Sequence, residues 1–166
     1  MTIPDGISGE WEVRAAGNET VLIHHTEYGS LNWMTNSLDE KRTNKFFHDR
    51  ARGKVLIAGL GIGYNSEYLA GNDAVTSITI VEKEVDVISL VATHVPMDKT
   101  TVVHQNILAY MKETDQKYDI IFFDIFPNMG KNDFPDEVAI LDREGAKILE
   151  PGGEIIYWES KLMVEL

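Results

Sequence analysis

The chain has 166 residues, 43% of them apolar and 25% charged, the mix of a single globular domain with a core large enough to need no staples. It holds no cysteine, which excludes disulfides, a thiol nucleophile and thiolate metal sites. The net charge of −12 repels phosphate backbones and anionic lipid, so neither nucleic acid nor a membrane is expected as a partner.

The first ten residues carry no basic flank and no apolar stretch, so no signal peptide is read and a cytoplasmic protein is expected. Residues 10–14 alternate apolar and polar, and a second β-prone run at 21–25 follows Ala16-Gly17-Asn18-Glu19. That pattern predicts two strands around a turn. Tyr28-Gly29-Ser30 is a further turn, and residues 31–34 a third short strand. His24 and His25 are adjacent in a strand, so they point to opposite faces and make no metal pincer; no metal is expected. Ser37-Leu38-Asp39-Glu40 reads as a capping box that starts a helix with Phe46 and Phe47 inward, stopping near Gly53. The densest basic stretch, Arg50 to Lys54, ends this helix, where cations suit the macrodipole.

From Lys54 the chain alternates strand and helix. Val55-Leu56-Ile57-Ala58 is a continuous apolar strand, the mark of burial on both faces. Further strands are predicted at 77–81, 101–103, 118–123 and 154–158. Helices are predicted at 64–70, 85–94, 107–112 and within 134–149. Five strands joined by helix-length connections imply a Rossmann-like, doubly wound parallel sheet of order 3-2-1-4-5. The whole is read as one α/β domain: a β segment over 1–36, a helix over 37–53 and the parallel core over 54–166.

Ligands of such sheets bind beyond the carboxyl ends of the strands. Strand one ends in Gly59-Leu60-Gly61-Ile62-Gly63. Three alternate glycines after a buried strand suit a nucleotide approaching the backbone. No Lys-Ser/Thr follows, which excludes a P-loop. Tyr64 stands where a dinucleotide fingerprint wants Gly or Ala, which argues against NAD. Glu82 ends strand two, 19 residues after Gly63, where a carboxylate can accept both hydroxyls of a ribose. Asn106, after strand three, can meet an adenine edge, cap a helix, or do both. Asp124 ends the most apolar strand, where burial can raise a carboxyl toward a useful base. Asn32, Trp33, Tyr28 and Met34 are placed to line a pocket if the first strands fold over the sheet's carboxyl edge.

Together these residues resemble class I S-adenosylmethionine-dependent methyltransferases, most of all the spermidine-synthase branch. Residues 55–63 look like the family's first motif, with the apolar Ile57 of that branch. Ile80-Val81-Glu82-Lys83-Glu84 is similar to its second motif, residues 118–124 to its fourth, and Leu149-Glu150-Pro151-Gly152-Gly153 to the loop before strand five. The resemblance implies S-adenosylmethionine as cofactor, held by Gly59, Gly61, Gly63, Glu82, Asn106 and Ile107. It implies Asp124 as the residue that orients or deprotonates a small-molecule acceptor, with Tyr28, Trp33 and Phe126 on the substrate side. Asn106 departs from the family's usual Asp. Ile125-Phe126-Pro127 lacks the second acid of polyamine-binding relatives, and Lys41-Arg42-Thr43-Asn44-Lys45 replaces their Tyr-His-Glu run. Methyl transfer to a small acceptor is therefore the leading expectation. Aminopropyl transfer, cleavage or cyclisation of the cofactor without an acceptor, and non-catalytic nucleotide binding remain as alternatives. The chain also stops after strand five, where the family usually adds two more strands. The β-prone edge at 154–158 and the apolar tail at 161–166 then lead to an expected homo-oligomer.

Overall fold

The computed structural model describes residues 3–126 and 133–158. Pro127, Asn128 and the tail at 161–166 lie outside the described residues.

The first third of the chain makes an antiparallel sheet, β1 (Gly6–Ser8), β2 (Trp11–Ala16), β3 (Glu19–Thr26) and β4 (Gly29–Thr35), paired in sequence order. Three of these strands, β2, β3 and β4, are the ones expected at 10–14, 21–25 and 31–34. The three-residue β1 is too short to show a pattern; it pairs antiparallel with β2, and Ser8 Oγ donates to Asp86 Oδ1 at 2.6 Å. Helix α1 (Leu38–His48) follows. Only half of its capping box forms. The Ser37 hydroxyl accepts from the Glu40 amide at 3.2 Å, but the Ser37 amide donates to Thr35 Oγ1. The Glu40 carboxylate instead accepts from Asn44 Nδ2 at 2.9 Å. The helix ends five residues before Gly53, where the amides of Arg50 and Ala51 both fold back onto the Phe47 carbonyl.

The rest is β5 (Gly53–Ala58), α2 (Tyr64–Ala70), β6 (Val75–Glu82), α3 (Val85–Val91), β7 (Thr100–His104), α4 (Ile107–Glu113), β8 (Tyr118–Phe123), α5 (Pro135–Lys147) and β9 (Leu149–Tyr157). The strand predicted to carry the glycine loop is β5, at the centre of a parallel sheet ordered β7-β6-β5-β8-β9. This is the expected 3-2-1-4-5 order. The helix predicted over 85–94 divides into α3 and a 3-10 turn at Ala92–His94, because Pro96 disfavours a helical residue before it.

Alternation along the buried strands divides the core in two. Val55, Ile57, Ile80, Ile120 and Phe122 meet α1, α2, α3 and the antiparallel sheet on one face. Leu56, Ala58, Val81, Ile121 and Phe123 meet α4 and α5 on the other. Phe47 of α1 stacks on Phe122 with ring centroids 4.0 Å apart, which ties the helix to the central sheet. Both faces of β9 are likewise covered: Ile156 and Tyr157 are buried, and the Trp158 indole donates to Thr43 Oγ1 at 3.1 Å. Among the described residues β9 pairs only with β8, and no helix is long and apolar enough to cross a membrane.

Candidate functional site

The parallel register brings the strand ends into one row. Asp124 N donates to the Ala58 carbonyl at 3.1 Å, Gly59 N to Val81 and Trp158 N to Phe123. Each ladder bond runs one residue past its strand and fixes the residue that follows. Directly above this row lies a cavity of about 290 Å³, roofed by the antiparallel sheet. Its floor carries Gly59, Gly61, Glu82, Asn106 and Ile107, and its far wall carries Asp124, Phe126, Glu40 and Trp158. Trp11, His24 and Trp33 form the roof, with the His24 ring stacked on Trp11 at 4.3 Å and Trp33 edge-on to both.

Most residues singled out in the sequence therefore meet in one place. Tyr28 does not. It sits in the turn between β3 and β4, 91% exposed, and is absent from the cavity wall. The β-strand period turns Trp33 inward and leaves the turn that carries Tyr28 beyond the roof. Asn32 is likewise exposed.

The glycine loop has a structural reason of its own. Gly59 has φ +98°, and a β-carbon there would stand 2.6 Å from the Asp124 carbonyl. Gly61 has φ +51°, and its β-carbon would meet Met34 Sδ. The space these glycines free is filled by the chain, so they bring β4 and the Asp124 loop against the cavity floor. Gly63, with φ +73°, is the cap residue before α2 and, unlike Gly59 and Gly61, does not line the cavity.

Glu82 is 7% exposed and braces the loop. One carboxylate oxygen accepts from Leu60 N at 2.9 Å, the other from Glu84 N at 2.8 Å. Asn106 is the N-cap of α4, its oxygen accepting from Leu108 and Ala109, and its position also borders the cavity.

Asp124 is half-buried. Burial pushes its carboxyl up to about 8, the neighbouring Glu40 charge adds to that, and a hydrogen bond from Asn65 opposes both. Asn65 Nδ2 lies 3.4 Å from Asp124 Oδ2. Glu40 is itself pushed up by burial, partly offset by donors on Asn44 and Trp158. Two carboxyls that each disfavour ionisation thus face one cavity. Sequence reasoning missed Glu40, because the capping-box pattern accounts for that residue without a site. It also missed Asn65, whose place just after the loop carries no signal of its own.

No family model matches the chain. A curated relative, the ribosomal RNA large subunit methyltransferase K/L of Shewanella pealeana, is 28% identical over 136 residues, 75% of this chain and 19% of the relative. The chain thus spans about a fifth of that protein's length. Among solved structures, a protein of Streptococcus mutans assigned as an S-adenosylmethionine-dependent methyltransferase matches with a TM-score of 0.57 at 18% identity, over 92% of this chain and 42% of that one. Spermidine synthase from Thermotoga maritima matches with a TM-score of 0.51 at 16% identity, over 86% and 53%. The chain has the class I methyltransferase fold.

The methyltransferase likeness overturns one expectation. The net charge argues against nucleic acid as a partner, yet the curated relative is named for ribosomal RNA. A charge summed over a whole surface does not decide which partner reaches one cavity, since recognition depends on local fields and contacts.

Proposed function

We propose that the chain binds S-adenosylmethionine in the cavity above the strand ends and transfers its methyl group to an acceptor nitrogen that carries a proton. The observation that carries this reading is the cavity's division: Gly61, Glu82 and Asn106 on its floor, two carboxyls, Asp124 and Glu40, on its far wall.

The residues present suit the cofactor. Glu82 accepts one backbone amide on each oxygen and keeps further lone pairs on both, the acceptors that a ribose diol requires. Ile107 and Val81 supply apolar surface beside Asn106 for a base. When bound, the cofactor supplies a sulfonium methyl, an electrophile that needs no acid.

What the chain must do is align the nucleophile and manage one proton. Asp124, when ionised, would accept the hydrogen bond of an acceptor N–H and take that proton as the N–C bond forms and the methyl–sulfur bond breaks, the electron pair leaving with sulfur as a neutral thioether. Glu40 offers a second acceptor for an amine or amide. Trp33, Trp158 and Phe126 line the same space and exclude water from it.

A small amine is the first acceptor class. An exocyclic amino group of an RNA base is the second, favoured by the ribosomal RNA methyltransferase relative. Such a base would enter unstacked, since its amino group is out of reach within a helix.

The test is incubation with S-adenosylmethionine alone, then with small amines and with ribosomal RNA fragments, each followed by mass spectrometry. The expected result is a gain of one methyl on one acceptor class, with no loss of cofactor in its absence. Consumption without an acceptor would replace the proposal with cofactor cleavage. No consumption under any condition, with a broad acceptor set, would leave only binding.

A further inference from the structure

Behind Asp124 lies a buried polar pair that the reaction above does not use. His48, near the end of α1, is 4% exposed, and Asn65, on the first turn of α2, is 6% exposed. His48 Nε2 lies 2.8 Å from Asn65 Oδ1, and Asn65 Nδ2 points at Asp124 Oδ2, 3.4 Å away. We propose that His48 and Asn65 are positioning residues for Asp124, a buried imidazole–amide pair that holds one N–H donor against its carboxyl. This inference rests on the reading of Asp124 as the residue that handles the acceptor.

The directions of the bonds follow from chemistry. Burial lowers His48 to about 4, so the ring is neutral at physiological pH. Its Nε2 faces a carbonyl oxygen and must carry the ring's one proton. With its oxygen taken, the Asn65 amide can present only its NH₂ group to Asp124. Without His48 the amide is free to flip and set its oxygen against the carboxylate. The ring itself is locked, stacked on Tyr68 with centroids 3.9 Å apart and flanked by Phe47 and Tyr64.

The donor is needed because of what surrounds Asp124. Glu40 on α1 bears on it directly. Glu82 at the end of β6, Lys83 and Glu84 just after it, and His24 of the roof border the same cavity. Three of these five groups are acids. Burial and the Glu40 charge both favour the protonated carboxyl, while the Asn65 bond favours the anion. The pair therefore supplies a bond that favours the anion, against burial and the Glu40 charge, which outweigh it.

The test is a carbon-detected NMR titration of the Asp124 carboxyl in the whole chain, assigned by its loss in Asp124→Asn. Wild type is compared with Asn65→Leu, His48→Leu and His48→Gln, the last of which keeps a donor. In Asn65→Leu the midpoint is expected to rise by about one unit. In His48→Leu it rises by less, and His48→Gln stays near wild type. In turnover, where an acceptor has been found, Asn65→Leu lowers kcat several-fold at neutral pH with the cofactor KM nearly unchanged.

An unchanged midpoint in a folded Asn65→Leu protein overturns the proposal. If the variants fail to fold, the wild type still decides it. The Asn65 side-chain amide protons must shift with the Asp124 midpoint, and amide resonances that ignore that titration also overturn it. None of these NMR readings needs catalysis, so a failure to find methyl transfer would count against the proposed reaction and not against the pair.

Discussion

The thioether of Met34 occupies the space that a side chain on Gly61 would need, since an added β-carbon would clash with its sulfur. The roof and the glycine loop are thus fitted to each other before any ligand enters. Gly61→Ala is expected to destabilise the chain by ~1–3 kcal/mol, from left-handed backbone strain and from the displaced methionine. Adding Met34→Ala should recover the steric part and leave the backbone part. Urea unfolding of the two single variants and the double variant measures the coupling. Strict additivity would show that the two residues do not press on each other.

Glu82→Ala should weaken S-adenosylmethionine binding by ~1.5–3 kcal/mol, the scale of hydrogen bonds to a charged group. It should also loosen the loop, because the carboxylate holds the amides of Leu60 and Glu84. Glu82→Gln keeps one acceptor oxygen and is expected to fall between. Calorimetric titration of the three proteins with the cofactor checks the order.

Asp124 gives opposite predictions for activity and stability. Its carboxyl stands near 8 in the folded chain against an ordinary 3.8. Between those values the unfolded chain has already given up the proton that the folded chain retains. The stability tied to the protonated carboxyl is therefore full below about 4 and lost as pH rises through about 8. Asp124→Asn should raise the melting temperature at pH 8 and have little effect at pH 4. The same substitution should lower kcat on the order of 10²-fold, the scale of a lost general base. Wild-type turnover should rise with pH to a plateau above 8.

Glu40→Gln should move that rising limb to lower pH, because the Glu40 charge is one of the two causes that hold Asp124 up. The pH dependence of kcat in Glu40→Gln and wild type compares them directly. A limb at the same pH in both would mean that the two carboxyls do not sense each other.

Tyr28→Ala should leave cofactor binding unchanged and alter stability by less than about 0.5 kcal/mol, since the ring is solvent-exposed and away from the cavity. Calorimetry and thermal unfolding check both halves.

The parallel sheet was legible from the residues alone because its strands are buried on both faces. Apolar runs such as 55–58 and 118–123 have one stable place, and glycines and carboxylates at their ends follow from that place. Glu82 and Asp124 were visible for the same reason: each ends a strand, and strand ends of such a sheet share one edge. Local pattern could not reach contacts between distant elements. Ser37 and Glu40 carry a capping pattern, yet the Glu40 side chain turns to Asn44 and the cavity, because α1 packs there through Phe47 on Phe122. His48 and Asn65 are 17 residues apart, and nothing in their own neighbourhoods marks them. Only the packing of α1 against α2 makes an imidazole, an amide and a carboxyl into one chain of hydrogen bonds. Sequence periodicity reports which face of an element is buried, and the tertiary structure decides what that face is buried against.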